Sequence, residues 1–447
     1  MSNIQELKAE SLTKKWKALL EEKSLPKIKD SWKKKVTAVL LENQEKWLQQ
    51  QARQGGPASL LQEAPANQAG AGLGHTGNPQ MQGYDPVLIG MLRRSVPNLI
   101  AFDICGVQPM NAPTGLIFYL KSRYETQSGD EALFDEAVTT FSSKEDAPTE
   151  VHTPLGTVLP QADADALSTG RALSTAEGES LGNGVDPDIA EMAFSIERID
   201  VVAGSRKLAA GYSHELAQDL QAVHGLSARD ELARILATEL LAEQNRELVR
   251  IIYNNAVLGA QHNVQVPGTF NLDVDSNGRW SVERFKGLMF QLEREANAIA
   301  IATRRGKGNI LICSSDVASA LSMAGRLDVF DNLKDELAVD DTGNTFVGVL
   351  NGRFKVFIDP YVAPASSHYA VVGYKGALPY DAGLFWCPYI PLQMVQVMDP
   401  RSFQPRMGFQ TRYGIKANPF ATPQGVVGNA GFNQNIYYRK LAIANLM

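Results

Sequence analysis

The sequence predicts a mixed α+β protein without a regular βαβ repeat, and three observations carry that prediction. Two long stretches, 227–254 and the run from Ser281, repeat apolar residues at helical spacing. Several segments of the C-terminal third alternate apolar and polar residues at strand period. The two textures do not interleave as strand–helix–strand units. At 447 residues the chain exceeds what one hydrophobic core usually supports, so two or more subdomains are expected.

Taken in order, the elements begin with two amphipathic helices. Leu12, Trp16, Leu19 and Leu20 share one face, with Lys14, Lys15, Lys17 and Glu21 on the other. Beyond Pro26 the pattern recurs in Trp32, Val36, Val39, Leu40 and Trp47, beside Lys33, Lys34 and Lys35. Three of the five tryptophans therefore lie in the first 63 residues, on faces too short to build a core alone. Docking of Trp16, Trp32 and Trp47 onto a partner is expected, and packing of the pair on its own body is the alternative.

Next comes "GGPASLLQEAPANQAGAGLGHTGNPQ", Gly55 to Gln80, in which Gly72, Gly74 and Gly77 spell G-x-G-x-x-G. A phosphate-cradling loop needs a strand before the first glycine and a helix after the last. Neither composition is present, so a pliable linker is the better reading. "VLIGMLRRSVPNLIAFDICGVQPM" reads as a short helix followed by an extended segment. From Glu125 to Asp188 the chain turns polar and small, as a long loop or insertion does. Strand alternation returns from Phe194.

The strongest helix spans Ser227 to Asn254 and would be about 40 Å long. Ser227 with Asp230 can cap it, Leu232, Leu236 and Leu240 share a face, and Glu243/Arg246 and Glu247/Arg250 are spaced to pair. A second helix, capped by Ser281, repeats Phe285, Leu288, Leu292 and Ile299 until Gly306 and Gly308. "NILICSS" predicts a buried strand and "DVASALSMAG" a helix. "FVGVLNGRFKVFID" predicts a hairpin turning at Asn351-Gly352, with Val347, Val349, Phe354 and Val356 alternating. "YAVVGYKG" and "GLFWCPYIPLQMVQVMD" add strands.

Composition narrows function further. No apolar run approaches the roughly 20 residues that span a bilayer, and no signal peptide is expected from the charged start. Cys105, Cys313 and Cys387 sit apart in apolar surroundings, which predicts reduced core thiols. Residues 1–63 hold 12 Lys and Arg against 8 Asp and Glu, a net of +4; with −6 for the whole chain, the remainder carries −10. That asymmetry points to an N-terminal segment suited to an acidic partner and a body unsuited to nucleic acid.

Two motifs fall short of chemistry. His214-Glu215-x-x-Gln218 is half of a zinc-protease helix motif, without the second imidazole that motif needs. "DVDSNG", Asp273 to Gly278, opens like a calcium loop, yet Arg284 stands where the bidentate carboxylate belongs; a turn at Asn277-Gly278 explains the same residues. The six histidines are scattered, and no catalytic residue, metal site or cofactor is assigned.

"RRSVPNLIAFDICGVQPMNAPTGLIFYLKSRY" (Arg93 to Tyr124), "AAGYSHELAQDLQAVHG" (Ala209 to Gly225), "VGYKG" (Val372 to Gly376) and "DPRSFQPRMGFQTRYGIKANPF" (Asp399 to Phe420) together resemble the major capsid proteins of T-even-type tailed phages. The resemblance implies the Hong Kong 97 phage capsid fold. Its parts would be a propeptide (1–63), an N-terminal arm (64–104) and an extended loop (105–205) with a short insertion (125–188). A peripheral domain (206–295, spine helix 227–254), an axial domain (296–390) and a return to the peripheral domain (391–447) would follow. It also implies prohead-protease cleavage after Leu-x-Glu, matched by Leu61, Glu63 and Ala64. Gly55, Gly56 and Pro57 disfavour helix there, and Pro65 pushes Ala64 toward the extended backbone a protease cleft requires.

The partners so implied are other copies in hexameric capsomers, a vertex protein, internal scaffold or core proteins, the prohead protease, the portal, decoration proteins and a folding chaperonin. Neither a membrane nor a specific nucleic-acid sequence is among them. The protein would reside in the virion shell, after assembly in the host cytoplasm. The polar 125–188 stretch departs from the folded insertion domain common in the family, and no self-crosslinking Lys and Asn pair is assignable, so noncovalent shells are expected. A paralogous pentameric vertex protein is the close alternative, and a cytosolic nucleotide-binding enzyme resting on Gly72 the distant one.

Overall fold

A computed structural model describes residues 10–21, 30–53, 99–133, 172–181, 189–276, 280–324, 327–329, 345–359, 368–378, 381–399, 404–418 and 432–446, with a few isolated positions besides. The chain divides into two compact units, Met1–Gly115 with Asp200–Met447, and Leu116–Ile199. The first elements are α1 (Lys17–Leu20), α2 (Ser31–Arg53), α3 (Ala101–Ile104) and β1 (Gly106–Val107). Then come β2 (Thr114–Tyr124), β3 (Glu131–Ala132), α4 (Thr175–Ser180) and β4 (Met192–Val202). The larger unit continues with β5 (Gly204–Gly211), α5 (His214–His224), α6 (Ala228–Asn255), β6 (Ala256–Leu258), β7 (Thr269–Asn271), α7 (Ser281–Thr303), β8 (Ile310–Ser314) and α8 (Ser315–Met323). It closes with β9 (Leu327–Val329), β10 (Thr345–Leu350), β11 (Phe354–Asp359), β12 (His368–Gly373), β13 (Leu384–Met398), β14 (Pro405–Ala417) and β15 (Asn435–Ala444). The fold is α+β, as the sequence predicts.

Two sheets build the larger unit. One has the order β6-β15-β12-β8-β11-β10-β9, with β7 also on β15; the other has the order β1-β13-β14-β5. β8 is buried along its whole length because it runs between parallel β11 and antiparallel β12, under the apolar faces of α7 and α8. That is where a continuous apolar run belongs. The expected division at 390/391 crosses a sheet, since β15 pairs with β12.

α6 begins as expected, with Ser227 Oγ accepting the Asp230 N–H at 3.3 Å. Its N-terminal half packs Ala233, Leu236, Ala237 and Leu240 against Leu392, Met407 and Phe409 of the four-stranded sheet. Its C-terminal half puts Leu248, Val249 and Ile252 into the main core. The expected pairs within the helix give way to tertiary ones. Glu243 and Glu247 take Arg206 of β5 at 3.1 and 2.7 Å, and Tyr413 of β14 donates to Glu247 at 2.5 Å. Arg246 binds Asp359 of β11 at 2.5 Å, where the Tyr369 hydroxyl and the Tyr361 N–H also donate. A solvent-exposed pair one turn apart is worth only a few tenths of a kcal/mol, so partly buried partners with additional hydrogen bonds win.

Two local expectations shift by one residue. α7 is preceded by Trp280 rather than capped by Ser281, and the Glu283 carboxylate accepts the Trp280 N–H at 3.4 Å. The β10–β11 turn has the left-handed Asn351 and Gly352 expected of Asn-Gly, at φ 55° and 65°. Its loop nevertheless takes in Arg353, so Leu350 pairs with Phe354 and Val349 falls opposite Lys355. One extra residue shifts the phase, and Gly348 with Leu350 are buried while Val349 is half-buried. The expected helix at "VLIGML" and most of 134–188 lie outside the described residues.

Arg246→Met is expected to lower the unfolding free energy of the unassembled chain by about 3 kcal/mol, because Asp359, 4% exposed, loses its cation. Arg206→Met, at a site one third open to solvent, is expected to cost about 1 kcal/mol. Urea titration would rank them, and the reverse order would contradict this view of α6.

Candidate assembly interfaces

Within the smaller unit, β2 and β4 are neighbours in a three-stranded sheet of order β3-β2-β4. Arg123 Nε donates to Ser195 Oγ at 3.0 Å and Lys121 Nζ lies 3.5 Å from Glu131, which sets one face of the ribbon as the polar one. Strand alternation then places Leu116, Phe118 and Leu120 with Met192, Phe194 and Ile196 on the opposite face. All six are open to solvent, with exposures between 52% and 63%. Covering such a face would contribute on the order of 5–10 kcal/mol. Contiguous apolar surface of this kind marks a contact site.

The N-terminal helices make a second surface, and here the structure corrects the expectation for the tryptophans. Trp16 is 6% exposed and sits in one core with Leu20, Val36 and Leu40, while Trp32 packs half-buried against it. Both are spent inside the chain's own body. The backbone of Trp47 belongs to α2, and its side chain lies outside the described residues, as do Leu61, Glu63 and Ala64 and the Gly72–Gly77 loop. An apolar helical stripe shows that something covers it but not which chain supplies the cover.

Lys15 joins the two helices by binding Glu42 at 2.9 Å and Glu45 at 2.5 Å. Burial alone would raise the Glu42 carboxyl, but Lys15 and the Trp16 indole outweigh it and hold the group below the usual range. α2 lies against β13 through Asn43, whose amide donates to the carbonyls of Met110 (2.7 Å) and Tyr389 (2.9 Å). Gln44 of α2 and Gln393 of β13 are both buried, and their amides find no hydrogen-bond partner among the described residues. Each such amide costs roughly 1–3 kcal/mol, so the seat is weaker than its apolar packing implies.

The remaining sequence candidates have structural uses. Cys105, Cys313 and Cys387 are buried free thiols, each pushed up to about 12 by burial, as core cysteines are. His214 opens the exposed helix α5, behind Ser213, whose Oγ accepts the Leu216 N–H. In the calcium-like loop Arg284 binds Asp273, and Asp275 accepts the N–H groups of Gln265 (2.9 Å) and Asn271 (2.8 Å). The side chain that breaks the motif is the loop's own cation.

An α+β body joined to a ribbon with one uncovered apolar face defines a protein that works by meeting other protein surfaces. The family model described as Major capsid protein Gp23 matches residues 81–443. The major capsid protein of Serratia phage KSP90 is 38% identical over 98% of this chain and 99% of its own length. That of Enterobacteria phage T4 is 38% identical over 93% of this chain and 92% of its own. The chain belongs to this family, and its function is to assemble with itself into the head shell of the virion. The capsid vertex protein of Enterobacteria phage T4 is 25% identical over 56% of this chain and 58% of its own, so the vertex alternative is not favoured. Among solved structures, a chain titled the capsid of Myoviridae Phage XM1 aligns over 77% of this chain and 92% of its own, with 9% identity and a TM-score of 0.38.

Combining Phe118→Asp with Phe194→Asp is expected to abolish shell formation in sedimentation velocity while leaving circular dichroism and the unfolding midpoint of the free chain nearly unchanged, because both rings are exposed within it. Normal shells from that variant would remove the ribbon from the assembly contacts.

Proposed function

We propose that the chain builds the shell as hexameric capsomers in the Hong Kong 97 arrangement, with residues 105–205 reaching a neighbouring copy. The observation that carries this reading is the six-residue apolar face of β2 and β4, which a second copy would cover. In this reading α6 is the spine of the peripheral domain. A capsid vertex protein would close the lattice at the vertices. Lattice contacts must bury obligate areas of thousands of Å², and a long reaching ribbon supplies part of that area.

Residues 1–63 serve as a scaffold-binding propeptide, removed by the prohead protease between Glu63 and Ala64. Leu61 offers an apolar side chain and Glu63 a charge, a short code that a protease can read beside the helix-breaking Gly55, Gly56 and Pro57. Removal takes away the +4 segment and leaves a chain of net −10 around DNA, where like charge keeps the inner wall from binding the packaged polymer. With α2 gone, the apolar seat on β13 is also vacated, which favours a change in the shell.

Mass spectrometry of DNA-filled particles is expected to show a chain beginning at Ala64, and Glu63→Ala is expected to hold particles in the unprocessed state. An intact 48.7 kDa chain in filled particles would overturn the processing reading.

A further inference from the structure

The lysines of the N-terminal helices divide into two sets. Lys15 is occupied by Glu42 and Glu45, and Lys33 turns toward Asp103 (4.0 Å) and lies over the Phe102 ring. Lys14, Lys17, Lys34 and Lys35 instead gather around a cleft of about 240 Å³ between the helical residues 10–20 and the start of α2, with buried Leu20 and exposed Glu21 also lining it. Glu21 stands 4.0 Å from Lys17 and Glu10 stands 3.7 Å from Lys35. Among the described residues no carboxylate lies within ion-pairing distance of Lys14 or Lys34. Among the described residues, two acids thus face four ammonium groups.

We propose that this cleft binds an acidic, carboxylate-rich peptide segment of a partner protein. The proposal rests on the scaffold-docking reading of residues 1–63 and names the surface and the chemistry that reading lacks. Because Trp16 and Trp32 are turned inward, the outward face of the helical pair is its lysine face. Crowded ammonium groups repel one another, and bound carboxylates relieve that repulsion where water only screens it. A peptide fits better than a nucleic acid. The cleft is short, Trp16 is not available as a stacking platform, and the net −10 of residues 64–447 repels a long polyanion.

The test uses the purified, uncleaved full chain and a fluorescent polyglutamate peptide of about twelve residues, long enough to span the cleft. Fluorescence anisotropy is expected to show binding that weakens steeply with added salt. Lys14→Gln with Lys34→Gln should weaken it about tenfold, a loss of about 1.4 kcal/mol, while Lys286→Gln, on the exposed side of α7, should leave it unchanged. Equal binding by the cleft variant would overturn the proposal. So would single-stranded DNA of matched charge binding as tightly with the same dependence on Lys14 and Lys34. Peptide binding lost in the cleft variant while scaffold-filled proheads still form would uphold the cleft and refute the scaffold role. The converse, peptide binding kept while proheads fail to form, would overturn the acidic-peptide cleft and leave Lys14 and Lys34 needed for assembly through another contact.

Discussion

A single helix holds the larger unit to one geometry. Along α6 the core changes hands: residues 233–240 belong to the four-stranded sheet and residues 248–252 to the main core. The three charged side chains between them, Glu243, Arg246 and Glu247, reach Arg206 and Tyr413 on one sheet and Asp359 on the other. Tyr253 of α6 meets Tyr369 edge to face at 4.8 Å, and the Tyr369 hydroxyl in turn donates to Asp359. Apolar packing supplies most of the stabilisation, but it is tolerant of sliding. Charge-assisted hydrogen bonds of defined direction are not, so a helix carrying both fixes how two sheets meet. A shell protein needs that rigidity, because every small error in one subunit is repeated around a lattice.

Against this rigid body the two candidate interfaces differ in kind. The ribbon face is complete, apolar and uncovered, so the energy of covering it is available to assembly. The N-terminal pair is already covered on its inner face and charged on its outer one. Its inner seat combines well-packed Val36, Leu40 and Leu41 with the unpartnered amides of Gln44 and Gln393. At the near end, burial holds Lys375 below the usual lysine range against the opposing pull of Cys105 and Asp103, with smaller like-charge contributions from Lys355 and Lys33. A segment attached in this way folds with the body through a seat weaker than its apolar packing alone would give.

Much of this was legible in the residues, and the failures have physical causes. The cap of α6 is local chemistry within three residues, and it appears as expected. The partners of Glu243, Arg246 and Glu247 lie 37 to 166 positions away, and helix spacing cannot see them. Asn351-Gly352 announces a left-handed turn without stating whether Arg353 joins the loop, and that one residue decides which face of β10 is buried. Alternation from Phe194 identifies a strand with an apolar face. It cannot say that the face stays open within the chain, since a strand covered by its own body alternates in the same way. For Trp16 the error ran the other way, because an amphipathic stripe looks the same whether its own body or a scaffold covers it.

The most direct measurement is a cryo-electron microscopy reconstruction of shells assembled from this chain, at a resolution that places side chains. The account predicts Leu116, Phe118, Leu120, Met192, Phe194 and Ile196 buried against a neighbouring copy, with α6 and its two charge clusters unchanged in every subunit. A shell in which that face points to solvent, or in which Arg246 and Asp359 separate between subunits, would contradict it.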